Sequence, residues 1–244
     1  MAKYSIEFYS KSLFRKVDIK VTIPSLNLRG SIANSSDYYQ KREETFPLII
    51  FLCGFGDNNL AWQTNTSVER LCEEKGYAAC YINGENKWYL NQGPLDNHYD
   101  FIEKDILDFL YGHFKNLSKD KPLIIAGVSM GGFGALYHYL KNVDKYAACV
   151  ALSPATIAEN LDEKKYGTLK ELFLNAKNEI LNCYISVGEN DFIIDASRKL
   201  NNFLLDNEIG VSYKFVPNYG HEWNLWQEEI KEVFEYFNRL GLKG

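Results

Sequence analysis

No apolar run in this 244-residue chain is long enough to cross a bilayer. The best, Pro47 to Cys53, is strand-sized. The opening MAKYSIEFYSK alternates polar and apolar residues and lacks the uninterrupted apolar stretch of a signal peptide. A cytoplasmic protein without a membrane partner is therefore expected. Positive charge is not in excess: 27 Lys+Arg against 32 Asp+Glu give −5, with no basic stripe for a nucleic acid to follow. No CxxC and no Cys/His cluster occurs. The five cysteines (Cys53, Cys72, Cys80, Cys149, Cys183) are odd in number and mostly sit inside apolar runs. They read as reduced core thiols, and a zinc site is not expected. Phosphate-binding glycine motifs, dinucleotide fingerprints, internal repeats and low-complexity tracts are also missing, so neither metal nor cofactor is expected.

What is present is a core. Hydrophobic residues make up 46% and aromatics 15%, which excludes disorder for the bulk of the chain. Strand-like runs fall at Ser5–Tyr9, Lys16–Ile23, Leu48–Cys53, Tyr77–Asn83, Leu123–Val128, Ala147–Leu152, Asn182–Val187 and Val211–Val216. The middle ones are nearly all apolar, as strands covered on both faces are. Lys16–Ile23 alternates instead and reads as a half-exposed edge strand. Helical stripes lie between the strands: Tyr99–Phe114, the segment after Ser129, Ala196–Leu205 and Leu225–Leu240. Alternating strands and helices predict an α/β doubly wound sheet, eight-stranded, mostly parallel and twisted, with helices on both faces. One domain over residues 1–244 is expected. Residues 156–179 are charge-rich and out of rhythm, and read as a small cap or lid inserted over one edge of the sheet.

The segment that carries chemistry is Leu123-Ile-Ile-Ala-Gly-Val-Ser-Met-Gly-Gly-Phe-Gly-Ala135. A buried strand runs into Gly127-Val128-Ser129-Met130-Gly131, and a small-residue helix follows. This is G-x-S-x-G in the strand–turn–helix setting that projects a serine hydroxyl beyond the sheet. A hydroxyl needs a base to take its proton. Of four histidines, His113 and His138 fall inside helical patterns and read as surface or packing residues. His98 opens a helix, as a cap or a substrate contact. His221, in Tyr219-Gly220-His221-Glu222-Trp223, follows the last strand and reaches the carboxyl edge of the sheet. The orienting acid should lie between serine and histidine in sequence. Asp191, in Val187-Gly188-Glu189-Asn190-Asp191, is the choice; Glu189 and Asp195 compete, and Asp195 reads better as an N-cap. Two backbone N–H groups are needed for an oxyanion. Met130 supplies one, and the loop Cys53-Gly54-Phe55-Gly56 supplies the other, with Phe55 first and Gly56 second.

These segments resemble the esterase branch of the α/β-hydrolases that includes tributyrin esterase-like proteins, S-formylglutathione hydrolase (esterase D), feruloyl esterases and the mycolyltransferase antigens. The resemblance rests on Leu52-Cys53-Gly54-Phe55-Gly56, Asn86-Lys87-Trp88-Tyr89, Ser129-Met130-Gly131-Gly132, Gly188-Glu189-Asn190-Asp191 and Gly220-His221-Glu222-Trp223 with Trp226. It implies hydrolysis of carboxylic esters through Ser129, His221 and Asp191 and an acyl-enzyme. The family usually shows His-Gly where this chain has Cys53-Gly54. Burial should keep that thiol inert while it packs close to Phe55 and the acyl pocket. Trp62, Trp88, Tyr89, Trp223 and Trp226 are expected on loops around the site. Gly54, Trp88 and Trp223 are the substrate-contact candidates, and Trp226 reads as a clamp.

The expected partner is a small-molecule ester: short-chain acyl, acetyl or feruloyl, including esters on sugars. A thioesterase resembling S-formylglutathione hydrolase is the alternative enzyme, and a non-catalytic binding member of the fold is the alternative class. A homo-oligomer is compatible with the sequence.

Overall fold

Every strand-like run becomes a strand: β1 (Ala2–Ser10), β2 (Arg15–Ile23), β3 (Leu48–Leu52), β4 (Ala78–Ile82), β5 (Leu123–Val128), β6 (Ala148–Leu152), β7 (Cys183–Gly188) and β8 (Ser212–Val216). The computed structural model describes residues 1–26, 31–32, 43–156 and 163–242. It joins the eight strands into one sheet of order β1-β2-β4-β3-β5-β6-β7-β8. β1–β2 and β2–β4 are antiparallel; β3 through β8 pair in parallel.

Period-two alternation divides each central strand between two cores. Leu48, Ile50 and Leu52 of β3 enter one core with Phe101, Ile102, Ile106 and Leu110. Ile49 and Phe51 enter the other with Trp62, Val68, Ile230 and Phe234. Helices α1 (Ala61–Asn65) and α2 (Val68–Lys75) cover that second face. The terminal helix α7 (Trp223–Arg239) covers it too, because Trp226, Ile230, Val233, Phe234 and Phe237 recur on one stripe. On the first face lie α3 (Leu107–His113), α4 (Met130–Lys141), α5 (Leu169–Asn175) and α6 (Ile194–Asp206). The chain leaves β3 for β4 on one side and returns to β5 on the other. The crevice beyond the carboxyl ends of β3 and β5 is therefore a switch point.

Three expectations need correction. Lys16–Ile23 is an interior strand, β2, between β1 and β4, and the sheet ends at β1 and β8. Alternation reports one uncovered face and says nothing about unpaired backbone. The Tyr99–Phe114 stripe is interrupted by a π-helical stretch, Phe101–Ile106. Residues 157–162 of the 156–179 segment lie outside the described residues. Its helix α5 buries Leu169, Leu172 and Phe173 in the first core, where it packs on α4 and α6. Asp195 is not an N-cap, since α6 begins at Ile194 without a side-chain cap. Asp191 has already accepted the Ile193 N–H at 3.0 Å, so local capping moved upstream. The α1 and α2 helices and a small hairpin pairing Asn91–Gly93 with Asp96–Asn97 had no distinct sequence signal. Among the described residues, no helix is long and apolar enough to cross a membrane.

Candidate active site

The turn from β5 into α4 is strained by design of its sequence. Ser129 has φ 55° and ψ −117°, a region that costs a non-glycine residue about 1–3 kcal/mol. The flanking glycines make the turn sterically feasible. A Cβ on Gly127 would lie 2.0 Å from the Gly131 carbonyl oxygen, and one on Gly131 would lie 2.4 Å from the Leu52 oxygen. Strand and helix therefore touch backbone to backbone, and Ser129 is pushed out at the crevice. Its own N–H donates to Leu152 at 2.9 Å, which fixes the turn to β6.

His221 and Asp191 meet this serine from the loops after β8 and β7. His221 Nε2 is 2.9 Å from Ser129 Oγ. His221 Nδ1 is 2.9 Å from Asp191 Oδ2 and 3.1 Å from Oδ1. Asp191 is only 2% exposed, while Glu189 and Asp195 face solvent. With Nδ1–H donated to the carboxylate, Nε2 is left to accept the serine proton. The imidazole lies between Phe192, 4.6 Å away centre to centre, and the edge of Trp226, 5.1 Å away. Trp226 is itself anchored by its indole N–H to Ser153 Oγ at 3.1 Å, the clamp its position on α7 suggested. The structure thus brings Ser129, His221 and Asp191 together, although 92 residues separate the serine from the histidine.

Beside the serine, a Cβ on Gly54 would lie 3.5 Å from Ser129 Cβ, so the β3 loop runs directly against the nucleophile turn. Gly56 N–H already donates to Asn86 Oδ1 at 2.7 Å. Met130 opens α4, so its N–H is one of the first-turn amides with no intrahelical acceptor. A cleft of about 420 Å³ opens over these groups. Its walls are Phe55, Trp88, Met130, Ala155, Phe192 and Ile193, with Thr156 and Ala196 at one end. Phe55 and Phe192 are 64% and 80% exposed, unusual for phenylalanine and explained by their place at the mouth. Among the described residues, none that lines the cleft is charged.

Other expected site residues fall elsewhere. Trp223 does not line the cleft. It packs edge-on against Trp62 and Trp226, and its hydrogen bond to Asp57 opposes the upward push of burial on that carboxyl. Trp62 and Tyr89 are wholly buried. Cys53 faces Tyr89, 3.4 Å from its hydroxyl, and not the cleft; burial pushes its thiol pKa up. All five cysteines are buried and unpaired. His98 is buried beside Asp96, away from the cleft, His113 is exposed, and His138 is buried in α4. The sequence reading missed Phe192, Ile193, Ala155 and Thr156, whose signal was only proximity to strand ends.

A family model described as "Putative esterase" matches residues 25–237. The chain is 26% identical over 272 aligned positions to an acetyl esterase of Caldicellulosiruptor saccharolyticus, covering 98% of this chain and 99% of that protein. Two solved structures from Staphylococcus aureus share the fold. The fluorophosphonate-binding serine hydrolase FphF has a TM-score of 0.82 at 22% identity, over 96% of this chain and 97% of that one. The S-formylglutathione hydrolase FrmB has a TM-score of 0.80 at 22% identity, over 96% and 98%. With the family match taking in most of the sequence, the chain belongs to this esterase family of the α/β-hydrolase fold and is a carboxylic ester hydrolase.

Proposed function

We propose that this chain hydrolyses small, uncharged carboxylic esters through Ser129, His221 and Asp191. The observation that carries the reading is the continuous relay from Asp191 through His221 Nδ1 and Nε2 to Ser129 Oγ, each step 2.9 Å. In acylation, Ser129 Oγ attacks the ester carbon while its proton passes to His221 Nε2. The carbonyl oxygen becomes an oxyanion that the Met130 and Phe55 N–H groups receive. Phe55 is preferred to Gly56 because the Gly56 N–H is occupied by Asn86. The tetrahedral adduct expels the alcohol, which takes the proton from Nε2. Water then gives its proton to Nε2, its oxygen attacks the acyl carbon, and Ser129 leaves with that proton to regenerate the enzyme. Asp191 holds the tautomer and offsets the imidazolium charge.

The uncharged, aromatic-edged cleft supports acetyl, other short acyl and feruloyl esters, including those on sugars. Acetyl esters come first, because the curated relative is an acetyl esterase. Glutathione thioesters are disfavoured: among the described residues, the lining holds no lysine or arginine to meet their carboxylates. A panel of p-nitrophenyl, acetyl-sugar, feruloyl and thioester substrates, with Ser129→Ala as blank, tests the reading. A fluorophosphonate should label Ser129. Absence of an adduct together with absence of turnover would overturn it.

A further inference from the structure

Tyr89 is fully buried behind Trp88, the residue that walls the cleft. Its hydroxyl donates to the Cys53 carbonyl at 2.8 Å. That carbonyl begins the loop carrying Gly54 and Phe55. It is confined from the other side by the nucleophile turn, since a Cβ on Gly131 would come within 2.6 Å of it. One backbone oxygen is thus held between the Tyr89 hydroxyl and α4. The space for the ring is built in as well: a Cβ on Gly84 or Gly134 would fall 2.4 or 2.6 Å from Tyr89 atoms.

Holding the ring there is costly to the backbone. Trp88 and Tyr89 are consecutive non-glycine residues with φ of 56° and 60°, each disfavoured by roughly 1–2 kcal/mol. Such strain persists only where the surroundings over-determine it. Here His138 supplies the constraint. Its Nε2 donates to the Tyr89 carbonyl at 3.0 Å, and its Nδ1 lies 2.5 Å from Glu103 Oε1. Glu103 also receives Tyr146 at 2.6 Å and Lys145 at 2.7 Å, and it sits in the π-helical stretch. Tyr99 stacks on the imidazole at 4.6 Å.

We propose that Tyr89 is a positioning residue for the oxyanion loop and the Trp88 wall, held in its strained backbone by the buried His138–Glu103 pair. This rests on the Ser129 esterase reading. Fixing the Cys53 carbonyl fixes the Cys53–Gly54 peptide plane, the point from which the next peptide, Gly54–Phe55, carries the Phe55 N–H toward the serine. A misdirected donor weakens an interaction formed mainly in the transition state, so kcat suffers and KM does not.

The test is ester turnover and fluorophosphonate labelling by wild type, Tyr89→Phe, His138→Gln and Tyr139→Phe. Tyr139 is the control: a buried tyrosine on α4 whose hydroxyl accepts the Asn182 N–H at 2.9 Å, remote from the loop. Tyr89→Phe keeps the ring, and its kcat should fall roughly tenfold to a hundredfold with KM within about twofold. Labelling should slow in step. Tyr139→Phe should lose thermal stability and keep kcat. His138→Gln should lower kcat and raise KM, because the Trp88 wall relaxes too. Tyr89→Phe that loses stability like Tyr139→Phe yet keeps full kcat overturns the proposal. If Tyr89→Phe does not fold, folded His138→Gln with unchanged kcat and KM overturns it instead. A wild type that neither hydrolyses nor labels overturns the esterase reading and this proposal together, which separates the two failures.

Discussion

Two of the histidine–carboxylate pairs among the described residues are built alike but face different groups. His221 meets Asp191 at 2.9 Å and His138 meets Glu103 at 2.5 Å, each through Nδ1. The difference lies at Nε2. His221 faces a serine hydroxyl, which can give up a proton; His138 faces the Tyr89 carbonyl, which cannot. Solvent access follows the same division, with the His221 side chain 15% exposed at the cleft and that of His138 at 0%. A carboxylate partner alone therefore does not mark a catalytic histidine. The group across the ring decides whether the pair can pass a proton on or only hold a backbone oxygen.

Changes at the proton-moving pair should have the largest effects. Ser129→Ala and His221→Ala should each lower kcat by several orders of magnitude while circular dichroism stays native, because the three groups act as a unit. Retention of more than about a tenth of the rate by Ser129→Ala would break the comparison at its base.

Next in size is the carboxylate. Asp191→Asn should cost roughly 10³- to 10⁴-fold in kcat by favouring the wrong tautomer, whereas exposed Glu189→Gln and Asp195→Asn should change little. If Glu189→Gln proves the most damaging of the three, the orienting acid is misassigned.

The holding pair should reveal itself in stability before rate. Burial resists ionisation of Glu103, but hydrogen bonds and charge from His138, aided by Lys145 and Tyr146, outweigh it and lower its pKa to about 2 from 4.5. A carboxyl depressed on folding stabilises fully above its unfolded value and loses that contribution as pH falls toward the folded one. Thermal melts should therefore show wild-type stability declining between about pH 4.5 and pH 2, and Glu103→Gln should be less stable at neutral pH with a flatter decline. Parallel pH curves for the two proteins would remove Glu103 from this role.

The smallest effect is expected at Cys53. Its raised thiol pKa and its contact with Tyr89, away from the cleft, leave it no part in the chemistry. Cys53→Ser should keep most of the turnover with a modest loss of melting temperature. A folded Cys53→Ser as inactive as Ser129→Ala would give the thiol a role that the two-pair comparison denies it.

The eight strands, the nucleophile turn and the order serine–acid–histidine were legible because each is written locally. Apolar runs of five or six residues make the six central and far strands, alternating runs make the nine-residue β1 and β2, and two glycines around Ser129 permit a turn that a Cβ at either position would block. His138 was legible only as a residue inside a helical pattern. Its partners Glu103 and Tyr89 lie 35 and 49 residues away, and no local spacing joins them. Trp88 and Trp223 were both substrate-contact candidates as aromatics near strand ends, yet Trp88 walls the cleft and Trp223 packs against Trp62 and Trp226.

The sequence by itself therefore determined the α/β architecture and the identity of Ser129, Asp191 and His221 as the group to be brought together. Strand propensity, glycine sterics and strand-end placement act over a few residues. Tertiary structure alone decided which aromatics meet the cleft, that β2 is interior, and that His138 holds a carbonyl. Those outcomes depend on which atoms face each other across elements distant in the chain, where burial and hydrogen-bond partners are set by packing.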